Sequence, residues 1–314
     1  MLNKIILIVL ALILFSSIAI ASSPKDSEYD NYGNTCKAEG KCTFTRKEVL
    51  PGNIPVSVEI VSRGAYKTNV DKVFEYIFSE VRRVAALLDE DNPSSEVSKV
   101  NDNAGVGFVE VGPELTTLIK AAKKANLWTG GAFDITLTPE IGNFKQIKIS
   151  DNLVYLKKKG MRIGFKKIVS GYIADLLIRG IYNANLNDAL VEVGQASRSI
   201  GAGVAGNFRT QVDDSEGTYA KRGITLDTSN VSVGSSIRGV NAPTFDPRWA
   251  RQETFVPLAR SVTIISRNAA ISEALAHGIY ILGPEKGMEI IRTLQNIRGV
   301  IVNNNGNFLK SPGL

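Results

Sequence analysis

The stretch SVTIISRNAAISEALAHGIYILGPEKGMEIIRTLQNIRGVIVN, residues 261–303, decides the fold class. It begins with Ser261 to Ile265, a mostly β-branched run that favours a strand. Two helical patterns follow, at about 269–281 and 284–294, and the stretch ends in a second β-branched run, Gly299 to Asn303. A strand, two helices and another strand in close succession predict a mixed α+β domain.

The same two patterns occur earlier in the chain. Residues 70–89 place apolar side chains three and four positions apart, which predicts an amphipathic helix. The other predicted elements are helices at 113–128 and 171–183 and strands at 56–60, 189–193 and 198–201. Because no repeat or low-complexity linker interrupts them, we predict one large domain over residues 49–314.

The composition excludes several classes of protein. A chain of 314 residues with 44% hydrophobic and 22% charged residues is ordinary for a globular protein, so a wholly disordered or collagen-like chain is excluded. The net charge of +6 is mild and spread along the chain, and does not indicate nucleic-acid binding. With two cysteines and one histidine, a multi-cysteine zinc domain is excluded, and any catalytic triad would depend on His277.

The first 21 residues have the features of an export signal. Lys4 precedes an apolar run from Ile5 to Phe15, and Ala19-Ile20-Ala21 supplies the small residues of a cleavage site. We therefore predict a signal peptide at residues 1–21 and a periplasmic or extracellular protein. The alternative is an uncleaved membrane anchor, although the apolar run is short for a full span. We expect no membrane span after this segment.

Export changes the interpretation of Cys36 and Cys42. In an oxidising compartment two nearby cysteines favour a small disulfide loop, which we place in a polar leader at residues 22–48. The alternative is a metal or haem attachment, but the Cys-x-x-Cys-His spacing is missing.

Gly201-Ala-Gly-Val-Ala-Gly206 has the glycine spacing of a dinucleotide-binding loop. Such a loop must open a helix, whose N-terminal N–H groups meet the pyrophosphate. Residues 207–217 have no helical apolar period, so we predict a glycine-rich turn.

Glu273 and His277 are four positions apart in the helix predicted at 269–281. This spacing is about one helical turn, so both side chains could face one metal ion. A local hydrogen bond is the alternative. The two-histidine helix motif of metalloproteases is absent.

The segment Thr129-Gly-Gly-Ala-Phe-Asp-Ile-Thr136 combines features of a ligand-binding loop. Gly130 and Gly131 would let the backbone approach a ligand closely. Phe133 could offer an aromatic face to a flat ring, and Asp134 could accept hydrogen bonds. The alternative is a helix C-cap with a core phenylalanine and a turn-capping aspartate.

Several segments, in order along the chain, resemble the ApbE family of FAD:protein FMN transferases. Thr129–Thr136 is similar to the family's Gly-Ala-Phe-Asp-x-Thr signature, which is the most specific of the matches. The other matching segments are Asn92–Asn101, Ser170–Asp175, Val191–Gly201, Phe245–Arg248 with the strand from Ser261, and Ile271–Gly283. The resemblance covers about residues 56–303 and implies a single ApbE-like (T-fold-like) domain with mixed β-sheets flanked by helices.

Members of this family transfer the FMN half of FAD to a threonine hydroxyl of a target protein, release AMP, and need a divalent cation. The resemblance implies FAD as substrate, a flavoprotein acceptor, and a cation held by the Val169 carbonyl, Glu273 and His277. Mg²⁺ is expected from the family, and the nitrogen of His277 would suit Mn²⁺ or Zn²⁺ better. The implied flavin-binding residues are Gly131, Ala132, Phe133, Asp134, Ser170, Tyr172, Asp175, Gly194 and Asp246. No catalytic base is assigned.

The chain departs from the family pattern at charged positions. Glu273 and His277 stand where the family has aspartate and threonine, and Ser170 stands where it has lysine. Lys166 and Lys167 replace a glycine pair, and they could either contact a phosphate or form a solvated basic face. Further departures are Gln195 and Ala196 in the family's Gly-Gly-Asp/Glu turn and Pro243 in place of a histidine.

The sequence thus leaves two classes of function open. The first is an exported FMN transferase. The second is a catalytically degenerate module of the same fold that binds or carries flavin. Hydrolysis of FAD by water would use the same apparatus as the first and is a further alternative.

Overall fold

The computed structural model describes residues 32–36, 40–63, 67–212, 224–249 and 255–314. The helices are α1 (Lys67–Leu88), α2 (Glu96–Asp102), α3 (Pro113–Trp128), α4 (Val169–Asn183), α5 (Ala269–Leu282) and α6 (Pro284–Thr293). The strands are β1 (Tyr32–Cys36), β2 (Lys41–Leu50), β3 (Ile54–Arg63), β4 (Val109–Glu110), β5 (Ile147–Ser150), β6 (Leu153–Leu156), β7 (Asp188–Val193), β8 (Ala196–Ile200), β9 (Arg209–Gln211), β10 (Thr225–Asp227), β11 (Ser232–Ile237), β12 (Ala259–Ser266), β13 (Arg298–Asn303) and β14 (Phe308–Lys310).

Within these residues, nine strands form one antiparallel sheet in the order β1-β2-β3-β7-β8-β11-β12-β13-β14. Successive side chains along each strand point to opposite faces of this sheet, and one of these faces is buried. In β3, Val56, Val58 and Ile60 are buried, whereas Ser57 and Glu59 between them are partly exposed. The buried face packs against α1, α4 and α5, so the main hydrophobic core lies between the sheet and these helices.

The other face of the sheet is covered over only part of its width in the described residues. Strands β9 and β10 pair with each other, and Val212 and Leu226 pack with Val233 and Ile265 in a small separate core. This core lies over β11, β12 and β13. The face formed by β2, β3 and β7 carries polar and half-exposed side chains instead.

The predicted α+β fold class and single domain are confirmed. Strand β2 pairs with β3 from Lys41↔Arg63 to Leu50↔Ile54, so the sheet includes residues that the sequence analysis placed in the leader, and the boundary at residue 49 stays a prediction. Cys42 is disulfide-bonded, and the strand register places the other cysteine, Cys36, opposite it.

Three further outcomes concern the chain outside the main elements. The signal predicted at residues 1–21 and the leader residues 22–31 and 37–39 lie outside the described residues. Gly206 is followed by strand β9 and not by a helix, which confirms the glycine-rich turn. In the part of the chain that the structure describes, no helix combines the length and the apolar character needed to cross a bilayer.

Candidate active site

A cavity of about 420 Å³ lies at the end of the sheet where the β2–β3 and β7–β8 turns meet the start of α4. This volume is within the range of small-molecule sites. Its walls are formed by Pro51, Gly52, Asn53, Ile54, Pro55, Ala85, Leu88, Asp89, Glu90, Lys166, Val169, Ser170, Gly194, Gln195, Val240, Asn241 and Glu273. We call it the inner cavity.

Glu273 is the most deeply placed charged group of the inner cavity. Its side chain is 2% exposed, its Oε2 accepts a hydrogen bond from the Gly171 N–H at 2.7 Å, and the Ser170 hydroxyl also bonds to it. Burial raises the pKa of Glu273 to about 8, and these two hydrogen bonds oppose the rise. The carboxylate is therefore held in a fixed position at the N-terminus of α4.

Close backbone packing holds the first turns of α5 in place. A Cβ on Gly171 would lie 2.2 Å from the Ala269 carbonyl oxygen, and a Cβ on Gly234 would lie 2.2 Å from the Glu273 nitrogen. Both positions therefore require glycine. Asp175 accepts hydrogen bonds from the Ala269 N–H at 3.0 and 3.1 Å, so it satisfies the helix N-terminus.

Asp175, one of the predicted flavin-binding residues, therefore has a structural role. It is buried and also forms an ion pair with Arg198 of β8. Through these contacts it joins α4, α5 and the sheet behind the inner cavity. Tyr172, from the same predicted group, is also in the main hydrophobic core.

The cavity wall contains a second buried carboxylate that the sequence analysis missed. Glu90 is 7% exposed, lies 3.8 Å from the Lys166 Nζ and accepts a hydrogen bond from the Phe165 N–H at 3.3 Å. Gly164 makes room for it, because a Cβ there would lie 2.8 Å from Glu90 Oε1. Burial raises the pKa of Glu90. An acidic residue directly after a long amphipathic helix was the only available signal.

Lys166 lies at the edge of the inner cavity and is mostly exposed. Its Nζ is 2.6 Å from Asp91 Oδ2. Because Lys166 both lines the inner cavity and is largely exposed, both interpretations that the sequence left open for this lysine remain. Its partial neutralisation by Asp91 and Glu90 weakens its attraction to an anion in the cavity.

His277 does not line the inner cavity, although it is one turn from Glu273 on the same helix. It is 2% exposed, and its Nδ1 has no hydrogen-bond partner among the described residues. Burial, with a smaller contribution from the nearby charge of Lys167, lowers the pKa of His277 to about 3. The two side chains predicted to share one metal ion thus have different surroundings.

The loop after α3 packs against α5 at the level of His277. A Cβ on the neighbouring Gly278 would lie 2.6 Å from Thr129 Cγ2 and 3.0 Å from Phe133 Cβ. Phe133 is 1% exposed in the main core, so its ring is not open to a ligand in this structure. The loop and α5 are therefore in direct contact, and side chains fill the space between them.

Asp134 organises this loop. Its Oδ1 accepts a hydrogen bond from the Thr136 N–H and its Oδ2 accepts one from the Phe144 N–H, both at 2.9 Å. Burial raises its pKa, and these bonds and the charge of Lys167 oppose the rise. Phe133 and Asp134 therefore have the roles of the alternative interpretation, a core phenylalanine and a turn-capping aspartate.

A second basic residue, Lys167, lies beneath the loop that carries Asp246. Its Nζ is 4.9 Å from the centre of the Phe245 ring, and burial lowers its pKa while Asp134 opposes that effect. Asp246 binds Arg248 through Oδ1 at 2.9 Å from Nε, and the Arg248 side chain passes over Gly131.

The predicted site residues thus fall into three groups. The residues that line the inner cavity are Val169, Ser170, Gly194 and Glu273. The residues around the α3 loop and Lys167 are Gly131, Ala132, Phe133, Asp134, Asp246 and His277. The third group, Tyr172 and Asp175 of α4, is buried.

The donor set of the inner cavity fits a cation of the Mg²⁺ type. In the described ranges, no group of three or more His, Cys, Asp or Glu side chains could hold a metal ion. Mg²⁺ is usually held by one or two carboxylates together with substrate phosphates, so it does not need such a group. Glu273 supplies one buried carboxylate, and Val169 lines the same cavity. His277 lies outside this wall, and its place in the predicted donor set stays a prediction.

The fold and the cavity define an α+β protein with a candidate site at one end of a large antiparallel sheet. The model of the ApbE family matches residues 53–301. The chain therefore belongs to the ApbE family, which confirms the resemblance found in the sequence.

Individual relatives are distant but cover most of the chain. The FAD:protein FMN transferase of Haemophilus influenzae is 20% identical over an alignment 273 residues long, which covers 74% of this chain and 79% of that protein. The protein of the same name from Klebsiella pneumoniae is 23% identical over 270 residues, covering 75% and 83%. The solved structure of the flavin transferase ApbE from Vibrio cholerae has a TM-score of 0.73 at 16% identity, over 86% of this chain and 96% of that one.

Proposed function

We propose that this protein transfers FMN from FAD to a threonine hydroxyl of an acceptor protein and releases AMP. Family membership supports the reaction class, and relatives named FAD:protein FMN transferase support the substrate. The observation that carries the proposal for this chain is Glu273, a buried carboxylate fixed in the wall of the inner cavity by Gly171 and Ser170.

In the proposed reaction, the threonine oxygen bonds to the phosphorus of the FMN half while the bond from that phosphorus to the AMP oxygen breaks. The hydroxyl proton is released, and AMP leaves. Such a transfer depends on holding the attacking and leaving oxygens in line and on neutralising phosphate charge.

The chain's own residues support these two requirements. The N-terminus of α4, at Val169 and Ser170, borders the inner cavity, and helix N-termini favour phosphate groups. Lys166 adds a positive charge at the edge. Glu273 and the Val169 carbonyl would hold a divalent cation, whose chemistry when bound is to offset the negative charge of the phosphates. We propose that activity depends on such a cation, with Mg²⁺ first and Mn²⁺ next.

We also propose that the protein acts after export, in the periplasm or outside the cell. The proposal rests on the pattern of residues 1–21. An exported location would bring it together with exported or membrane-bound flavoprotein acceptors. Fractionation of cells that express the full chain, with N-terminal sequencing, would locate the protein and any cleavage after Ala21.

The test of the reaction combines purified protein, FAD, Mg²⁺ or Mn²⁺ and a threonine peptide of the flavinylation type. We expect covalent flavin on the peptide and one AMP released for each flavin transferred. Glu273→Gln should abolish turnover, whereas Glu289→Gln, on the exposed side of α6, should not change it.

The other outcomes separate the remaining alternatives. FAD that binds without AMP release under any cation would contradict the transferase and favour the flavin-binding module. AMP release with free FMN and an unmodified peptide would favour hydrolysis. The departures at Ser170, Glu273 and His277 are the observation that keeps the binding module as the second candidate.

A further inference from the structure

Both tryptophans of the chain are exposed, and the two segments that carry them are adjacent. Trp128 is 39% exposed and Trp249 is 53% exposed. Trp128 is the last residue of α3, and Trp249 follows Arg248, whose Cγ lies 3.7 Å from the position of a Cβ on Gly131. Because tryptophan is highly buried on average in soluble proteins, two exposed tryptophans on adjacent segments indicate an interaction surface.

The exposed face of α3 continues this surface. Lys120, Lys123, Lys124 and Leu127 are exposed, and Leu127 is 68% exposed. Positions 120, 124, 127 and 128 follow the spacing of one helix face, and the opposite side of α3 packs in the main core. This face is therefore basic along the helix and apolar at its C-terminal end, where the tryptophans lie.

The positive charge of this face is not neutralised by neighbouring acidic groups. Within the part of the chain that the structure describes, none of the three lysines of α3 forms an ion pair. Glu114 at the start of α3 is paired with Arg83, and Asp246 in the loop before Trp249 is paired with Arg248. The lysines thus remain available to an anionic partner outside the chain.

The residue types favour a lipid bilayer over a protein as that partner. Protein–protein interfaces are depleted in lysine, whereas lysine and tryptophan together are typical of helices that lie in the interface of a membrane. A tryptophan ring with its N–H group suits the headgroup level of a bilayer, where one end of the side chain is apolar and the other is wet. Lysines beside it are attracted to anionic lipid headgroups.

We propose that this protein docks on bilayers that contain anionic phospholipids, through a surface formed by the end of α3 and the loop that carries Trp249. We call it the docking surface. Leu127, Trp128 and Trp249 enter the headgroup region, and Lys120, Lys123 and Lys124 contact lipid phosphates. Docking does not depend on the proposed reaction, although a docked enzyme would meet membrane-bound acceptors.

The experiment measures the tryptophan fluorescence of the full chain mixed with vesicles. The vesicles contain phosphatidylcholine alone, or phosphatidylcholine and phosphatidylglycerol in equal parts. Because both tryptophans belong to the docking surface, the emission reports on this surface and not on residues 1–21. We expect a blue shift, and quenching by brominated acyl chains, with the anionic vesicles only. Added salt should weaken the binding, since it screens the lysine charges.

A variant that combines Lys120→Gln, Lys123→Gln and Lys124→Gln keeps both tryptophans and places a good helix former at each position. Each lysine near an anionic surface contributes about a factor of five, so this variant should bind the anionic vesicles roughly 100-fold more weakly. Lys286→Gln is the matched control, because it removes one exposed lysine from α6, which is not part of the docking surface. Its binding should equal that of the wild type.

Equal shifts with the two kinds of vesicle, or unchanged binding of the triple lysine variant, would overturn the inference. Vesicles that carry the protein without shifting the emission of Trp128→Phe or Trp249→Phe would also overturn it, since another segment would then hold the protein. A shift with the threonine peptide of the transfer assay, and none with vesicles, would assign the surface to a protein partner instead. FAD binding and AMP release are measured without vesicles, so a failure of docking leaves the transferase proposal in place.

Discussion

Glu273 and His277 differ by one turn of α5, yet their surroundings are opposite in character. Glu273 lies in the wall of the inner cavity and receives hydrogen bonds from Gly171 and Ser170. His277 is enclosed near Lys167, at the level where the α3 loop packs on α5, and its Nδ1 has no partner in the described residues. The spacing of two residues on a helix predicts that they share a face, but the elements packed over that face decide what each can do.

Burial acts on both groups by penalising the charged form. It raises the pKa of the acid to about 8 and lowers the pKa of the base to about 3. At neutral pH both side chains are therefore uncharged in the protein without ligands. Their effects on stability must run in opposite directions, because Glu273 lowers stability as the pH rises from 4.5 to about 8 and His277 lowers it as the pH falls from 6.5 to about 3.

The largest effect is expected from Glu273→Gln, measured by urea unfolding with EDTA present. Between pH 4.5 and about 8 the unfolded chain ionises at this position and the folded protein does not, so the wild type loses stability as the pH rises. The shift sets an upper bound of about 5 kcal/mol on this loss. Glu273→Gln should lack it and should be most stabilised, relative to the wild type, near pH 8.

Adding a divalent cation gives a second test of the role of Glu273. If Glu273 holds the cation, Mg²⁺ at pH 8 should raise the unfolding midpoint of the wild type and leave Glu273→Gln unchanged. Identical pH profiles for the two proteins in EDTA would contradict the buried, protonated carboxylate.

The contrast between the two residues also shows how much of the structure can be predicted from the sequence. Strong periodicity predicted α3 at residues 113–128 as found, and α1 within three residues at each end. Strand β2 was missed, because Arg46, Lys47 and Glu48 give it the composition of a polar leader. Its pairing with β3 over ten residues outweighs that weak local signal.

For the site, the order of motifs predicted the family and a set of site residues. It could not predict which side chains would border open space, since that depends on contacts between distant segments. Glu90 and Phe165, for example, meet across 75 positions of the chain. The enclosure of His277 likewise depends on Lys167 and on the packing of Thr129 and Phe133 on α5.

The next effect in size is expected from His277→Asn. Below pH 6.5 the unfolded chain binds a proton at His277 and the folded protein does not until about pH 3, so the wild type loses stability as the pH falls. At pH 4 this loss should be about 3 kcal/mol. The variant should show a smaller drop in unfolding free energy between pH 7 and pH 4. A drop equal to that of the wild type would mean that the imidazole is open to solvent.

The smallest difference in unfolding free energy is expected between two glycine variants, at two of the positions where another segment packs closely on α5. At Gly234 an added methyl group meets the backbone of Glu273 at 2.2 Å, and backbone cannot move aside without shifting the helix. At Gly278 it meets the side chain of Thr129 at 2.6 Å, which has more freedom to adjust. We expect Gly234→Ala to cost about 2 kcal/mol and Gly278→Ala about 1 kcal/mol in urea unfolding.

Gly107→Ala is the control for both glycine variants, because no atom lies within 4 Å of a Cβ at that position. It should change the unfolding free energy by less than about 0.5 kcal/mol. Gly234→Ala should also weaken FAD binding, since it displaces the turn that carries Glu273, whereas Gly278→Ala should affect stability alone. If both variants weakened FAD binding equally, the His277 side of α5 would have to contribute to the nucleotide site, and the division between the two turns would be wrong.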